Sequence, residues 1–314
     1  MSDVEVLYII GTGRSGSTLL ANLLGSTEGM FSAGELRFIW DRGFAEDRRC
    51  GCSLRFAACP TWSGIVDRAF GDERPDLARM QHEVGRVSRV RQLPQLLTGR
   101  LDEDAVQAAA GYYLENVERL YHSVAAQSGA MVVDSSKLPT YCHLLHQIPS
   151  LRLRIVHLVR DPRATAHSWK RLRATGAVDG DEEEMDRFSV WKSAALWDIW
   201  NSTARHLFAR RSDYLQVRYE DLVTDPQGTI ERVRGFAGLP PDGGPFIDGH
   251  TVRLAENHAV AGNPNRRRNG DIRLVEDDEW RTALGPVDRA TVTMMTAPVL
   301  GRFGYPLSTR TPVR

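Results

Sequence analysis

Two periodicities alternate along the chain. Residues 4–10 (Val-Glu-Val-Leu-Tyr-Ile-Ile) are β-branched and aliphatic and stop at Gly11, which predicts a buried strand. Leu19, Leu20, Leu23 and Leu24 then recur at helical spacing, predicting a helix over 17–24. A short helix is predicted at 33–42, and the longest at 100–127 with Asp102 as its N-cap. Further strands are predicted at 130–133, 151–159 and 214–218. Helices are predicted at 163–173 (opened by Pro162), 186–209, 229–236 and 287–300. Trp191, Trp197 and Trp200 in the 186–209 helix are read as core. Segments 238–249 and 262–270 are loops, and the acidic run 182–184 is a solvated face. Strands alternating with helices give an α/β fold with a central parallel sheet flanked by helices. Residues 1–314 form one domain, with a helical insertion at 60–128 on the acceptor side.

Charge and cysteine content narrow the partners. Forty basic residues balance forty acidic ones, so no overall field favours nucleic acid or an anionic membrane, and any anion site must be local. No apolar run reaches the length of a transmembrane span, and the Met-Ser-Asp-Val-Glu start is acidic where a secretory signal is basic. A cytoplasmic location is the expectation. Cys50, Cys52 and Cys59 lie close together and Cys142 stands apart, too few for a disulfide framework. They are read as reduced thiols; a zinc site would need a fourth ligand from elsewhere, for which His82 is the candidate. His143, His146 and His157 do not cluster and are read as structural.

The segment Gly11-Thr12-Gly13-Arg14-Ser15-Gly16-Ser17-Thr18 separates the first strand from the first helix. Its glycines let backbone N–H groups converge on an anion, and the helix dipole adds to them. The spacing is that of a P-loop, and with it the expected architecture is a P-loop-type three-layer fold. Ser17 stands where nucleoside triphosphatases carry lysine, which makes an ordinary ATPase a poor fit. Arg14 supplies a cation inside the loop instead, able to clamp a sulfate or phosphate. A second candidate site is Val156-His157-Leu158-Val159-Arg160-Asp161-Pro162-Arg163, a strand running into a helix, with Ser168 two turns on. Arg160 sits where open α/β sheets bind ligands; an Arg160–Asp161 surface pair is the bland alternative.

Together these two motifs resemble the PAPS-dependent sulfotransferase family (PAPS, 3′-phosphoadenosine 5′-phosphosulfate), in its bacterial and carbohydrate-type form. The resemblance implies that Gly13, Arg14, Ser15, Gly16, Ser17 and Thr18 hold the 5′-phosphosulfate, and Arg160 and Ser168 the 3′-phosphate. Arg218-Tyr219-Glu220-Asp221-Leu222 resembles the family's strand-end motif, which gives Tyr219 the adenine. Gly262-Asn263-Pro264 and the arginines after it are similar to a basic loop that closes over the 3′-phosphate, with Arg266, Arg268 and Gly270 as its contacts. Arg14 stands where cytosolic members have lysine, which leaves the acceptor class open.

The implied reaction carries a sulfuryl group from PAPS to an acceptor hydroxyl by in-line displacement and leaves adenosine 3′,5′-bisphosphate. Resembling members carry a catalytic glutamate at the position of Glu35, the expected general base. Lys137, before Leu138-Pro139, resembles the position of a catalytic histidine in cytosolic members. A charged lysine is no base, so Lys137 and Arg14 are assigned to electrostatic stabilisation, with Ser136 and Asp134 orienting Lys137. No metal is expected at the transfer site. The acceptor is expected to be a small hydroxyl compound (natural product, sugar or lipid); homodimerisation is left open. The rival readings are a P-loop kinase or nucleotide hydrolase, and a non-catalytic nucleotide-binding module.

Overall fold

In the computed structural model, which describes residues 3–88, 90–100, 102–171 and 187–308, the alternation in the first strand decides the layering. β1 (Val4–Gly11) sends Val6, Tyr8 and Ile10 to one face of the sheet and Leu7 and Ile9 to the other, as a two-residue repeat requires. Against Leu7 and Ile9 pack α1 (Ser17–Gly25), through Leu20, Leu23 and Leu24, and a helix later in the chain, through Ile230 and Val233. The other face carries the larger core. There Val6, Tyr8 and Ile10 meet residues of α2 (Pro60–Phe70), α3 (Leu77–Val87), α4 (Leu93–Leu97) and α5 (Glu103–Ser128). These four helices make up the expected 60–128 insertion. Asp102 caps α5, its Oδ1 accepting from the Ala105 N–H at 2.9 Å.

The sheet is completed by β2 (Met30–Gly34), β3 (Met131–Lys137), β4 (Leu151–Val159) and β5 (Tyr214–Arg218), in the order β2-β3-β1-β4-β5. Every pairing is parallel, and helices cover both faces, so the structure is the expected central parallel sheet in three layers. β1 and β4 are neighbours, but the connection out of β1 runs to β2 on one side and that out of β4 to β5 on the other. A crevice therefore opens between them at the carboxyl edge of the sheet, where such folds bind ligands. α6 (Pro139–Leu145), α7 (Pro162–Lys170) and α8 (Val190–Phe208) follow β3 and β4. α9 (Tyr219–Thr224) and α10 (Pro226–Phe236) follow β5, and α11 (Trp280–Ala283) and α12 (Pro286–Leu300) end the described helices.

Several expectations need correction. β2 takes the start of the predicted 33–42 helix; the chain turns helical only at Leu36–Phe38 and Ile39–Ala45. Five residues of mixed character at a sheet edge carry no clear period, and only pairing with β3 makes them a strand. β3 runs on from 133 to Lys137, with a bulge: Tyr8 pairs Asp134 but Ile10 pairs Lys137. The basic 262–270 segment holds a 3-10 turn, Pro264–Arg267, and leads into β7 (Gly270–Arg273), which forms an antiparallel hairpin with β6 (Thr251–Leu254). Trp197 and Trp200 are buried, but Trp191, on the outer face of α8, is 59% exposed and is not core. No described helix is long and apolar enough to cross a membrane. The acidic run 182–184 and most of the 174–190 loop lie outside the described residues.

Candidate active site

Five strand ends deliver the site. Loop 12–16 follows β1, Glu35 follows β2, Lys137 ends β3, Arg160 follows β4 and Tyr219 follows β5. Gly13, Arg14, Gly16, Ser17, Thr18, Glu35, Lys137, Arg160, Ser168, Tyr219 and Arg268 all line one cleft of about 650 Å³. Gly13 and Tyr219, 206 positions apart, thus meet because parallel strands all end at one edge, while Arg268 comes in from the segment between β6 and β7 of the two-stranded hairpin.

The first cradle is the loop before α1. Gly16 caps the helix with φ +93°, in the left-handed region, and a Cβ there would lie 2.4 Å from the Tyr219 ring. Only glycine lets the loop and that ring approach so closely. Arg14 also has positive φ, 69°, and its guanidinium lies over Trp169, 4.7 Å from the ring centre. Thr12 Oγ1 and Ser15 Oγ are buried with no hydrogen-bond partner among the described residues. Buried hydroxyls without a partner are costly. Neither Thr12 nor Ser15 lines the open cleft.

The second cradle is organised by a division of labour at the start of α7. Asp161 does not pair with Arg160: it grips Arg163, Oδ1 to Nε at 2.8 Å and Oδ2 to Nη2 at 2.6 Å. It also accepts from the Arg163 N–H and so caps the helix. Arg160 is thereby left to face the cleft. Its guanidinium stacks on Tyr219 at 4.3 Å, donates to the Arg14 carbonyl at 3.1 Å and meets Asp277 Oδ2 at 3.1 Å. Arg160 is 5% exposed and its Nε has no hydrogen-bond partner among the described residues. Of the basic segment, Arg268 reaches the cleft. Arg266 and Gly270 do not: Arg266 is buried and props the backbone, donating to the carbonyls of Gly262 at 2.8 Å and Arg49 at 2.9 Å. Three arginines in a row read alike in sequence; the 3-10 turn at Pro264–Arg267 aims them differently.

Glu35 and Lys137 form an ion pair through Oε1 and Nζ, with side chains 7% and 17% exposed. Lys137 has φ 71°, a strained value that follows the β3 bulge and turns its side chain toward the cleft. Asp134 ties the two segments together. Its Oδ1 accepts from Ser136 N–H at 2.8 Å, Ser136 Oγ at 2.5 Å and Leu36 N–H at 3.4 Å, and its Oδ2 from Tyr121. Burial pushes the Asp134 carboxyl up to about 6 despite these donors, which pull the other way. Ser136 Oγ in turn accepts from Arg37 N–H at 3.0 Å. The residue after Glu35 and the residue before Lys137 are both anchored to this one carboxylate. Gly262, φ +123°, closes in from the far side, where a Cβ would stand 2.9 Å from Glu35 Oε1.

Residues that sequence reasoning missed include Trp169, Asp277 and the cleft-lining Phe38, Arg42 and Arg48. No local motif marks them. No described residue of 60–128 lines the cleft, so that insertion stands behind it. His157 is buried as expected, held between Tyr214 OH at 2.6 Å and Asn201 Oδ1 at 2.9 Å, and burial lowers its pKa to about 4.

A central parallel sheet with a glycine loop between its first strand and first helix is a P-loop-like α/β fold. Residues 7–243 match the model of the sulfotransferase family, and the chain belongs to that family. It is 26% identical over 178 residues to human carbohydrate sulfotransferase 1, covering 51% of this chain and 40% of that protein. To mouse carbohydrate sulfotransferase 2 it is 33% identical over 125 residues, 29% of this chain and 24% of that one. The chain thus spans less than half the length of these relatives. Among solved structures it resembles the sulfotransferase domain of the Synechococcus PCC 7002 olefin synthase (TM-score 0.54, 22% identity, 95% of each chain). It also resembles the sulfotransferase domain of the curacin biosynthetic pathway (TM-score 0.52, 17% identity, 98% of this chain and all of that one). The loop 11–18, Glu35, Lys137, Arg160 and Tyr219 fall inside the matched span; Arg268 falls outside it.

Proposed function

We propose that the chain moves a sulfuryl group from PAPS to the hydroxyl of a small-molecule or carbohydrate acceptor. The observation that carries this reading is the convergence on one cleft of two anion cradles and a buried carboxylate–ammonium pair. Arg14 in the loop after β1 and Arg160 at the start of α7, both lining the cleft, fit a ligand with negative charge at both ends. Loop 12–18 and Arg14 would hold the phosphosulfate end, Arg160, Ser168 and Arg268 the 3′-phosphate, and Tyr219 the adenine. The donor supplies a sulfur–oxygen bond whose leaving group is a phosphate oxygen.

Everything else is the work of fixed groups. Glu35 accepts the acceptor's hydroxyl proton as that oxygen bonds to sulfur. Lys137, paired to Glu35 at the cleft, stabilises the charge that develops on the sulfuryl and leaving oxygens.

The reading is tested with adenosine 3′,5′-bisphosphate and with PAPS plus a panel of hydroxyl acceptors. Glu35→Gln is expected to lower kcat by about 10²- to 10⁴-fold while leaving affinity for adenosine 3′,5′-bisphosphate unchanged. A fully active Glu35→Gln removes Glu35 as the base. Failure of the bisphosphate to raise the melting temperature overturns the nucleotide site altogether. ATP turnover that stops when magnesium is withdrawn points to the kinase reading instead.

A further inference from the structure

We infer that Cys50, Cys52, Cys59 and His258 form a closed structural zinc site behind the active-site wall. Their ligand atoms all lie within 4.8 Å of one another. Cys52 Sγ and Cys59 Sγ are 3.7 Å apart, and His258 Nδ1 is 3.4 Å from Cys59 Sγ and 3.8 Å from Cys50 Sγ. A tetrahedral zinc, with bonds of about 2.3 Å to sulfur and about 2.0–2.1 Å to nitrogen, has sulfur–sulfur edges of about 3.8 Å and sulfur–nitrogen edges of about 3.5 Å. The Cys52–Cys59 and Cys59–His258 distances fall on those edges, and the Cys50–His258 distance of 3.8 Å is about 0.3 Å longer than its edge. The fourth ligand is His258, not His82, which the sequence had suggested and which is exposed on α3.

The surroundings fit a metal better than reduced thiols. Cys50 and Cys59 are buried and Cys52 and His258 half-buried. Three thiols can satisfy one imidazole nitrogen only once, whereas a divalent ion takes all four donors. A Cys52–Cys59 disulfide would leave Cys50 and His258 unaccounted for. Three cysteines and one histidine fill a tetrahedron and leave no open position, the mark of a structural rather than a catalytic zinc. Each ligating thiol gives up its proton to solvent on binding.

The site has a mechanical consequence. Cys50–Cys59 and His258 lie on segments 199 or more residues apart, joined otherwise by a few bonds. Gly51 N–H donates to the Ala259 carbonyl at 3.0 Å, and Trp62 Nε1 to the His258 carbonyl at 2.6 Å. From His258 the chain runs along β2, Val260 N–H donating to Ala33 O at 3.0 Å, before Gly262 abuts Glu35 and Arg268 enters the cleft. The ion would therefore pin the strap that carries one wall of the active site.

The test needs no knowledge of the acceptor. The full chain is produced without a metal-affinity tag, and its metal is measured by plasma mass spectrometry. The expected content is about one zinc per chain, released stoichiometrically by an organomercurial thiol reagent. Replacement by cobalt(II) should give intense visible bands and the sulfur-to-cobalt charge-transfer band of a tetrahedral thiolate site. Cys52→Ser and His258→Ala lose both signatures, while Cys142→Ser keeps them. If the ligand variants do not fold, the wild-type cobalt spectrum and mercurial release decide the question alone. Wild-type chain that retains no stoichiometric zinc after reduction and reconstitution overturns the proposal. So does a six-coordinate cobalt spectrum, or a Cys52–Cys59 disulfide in the freshly isolated protein. None of these outcomes depends on sulfuryl transfer.

Discussion

Replacing Lys137 by methionine tests whether the Glu35–Lys137 pair is held as a buried unit. The substitution keeps the length of the side chain and removes its charge. Glu35 is then left with its side chain 7% exposed and no cation on Oε1. Removing one partner of a buried pair costs about 3–5 kcal/mol, because the remaining charge loses water without compensation. With Lys137 itself 17% exposed, the lower end of that range applies, about 3 kcal/mol. Glu35→Gln leaves the better solvated ammonium behind and should cost about 1–2 kcal/mol. The double variant leaves no orphaned charge, so its cost should fall short of the sum by at least about 1.5 kcal/mol. Urea unfolding of the four proteins at neutral pH measures this coupling through shifts in midpoint at constant slope. Losses that add to within about 0.5 kcal/mol would refute the argument, since they would mean the two groups do not sense each other.

Other outcomes follow from the same geometry. Arg160→Ala should weaken adenosine 3′,5′-bisphosphate binding by about 2–3 kcal/mol in calorimetry, because a nearly buried guanidinium, with no hydrogen-bond partner on Nε among the described residues, is lost. Asp277→Asn should tighten it several-fold, since Asp277 sits 3.1 Å from Arg160 and repels an incoming phosphate; unchanged affinity would show that the phosphate goes elsewhere. Gly16→Ala combines a positive φ with a Cβ 2.4 Å from Tyr219, and should abolish nucleotide-induced thermal stabilisation in a protein that still folds. His157, held neutral with a pKa near 4 against about 6.5 unfolded, makes stability fall as the pH drops from about 6.5 to 4. The unfolded chain binds the proton first, and the loss reaches about 3 kcal/mol at the low end. His157→Gln should flatten that limb of the stability profile in denaturant titrations.

What the sequence determined by itself is whatever depends on neighbours a few residues apart. The run 4–10, the leucines of α1, the glycine loop and the strand-to-helix passage at Arg160 are local patterns, and each folds as its period requires. Tertiary structure alone decided which of these meet. Met30–Gly34 became a strand because β3 offered it an edge, and Lys137 turned toward Glu35, 102 residues away, because β3 carries a bulge. Arg266 and Arg268 are two residues apart and do opposite things, one propping backbone and one lining the cleft. His258 reached the cysteines only because the strap 257–262 runs beside β2. Side-chain periods are written within a turn or a strand, whereas sheet order and bulges are settled by burial summed over the whole chain.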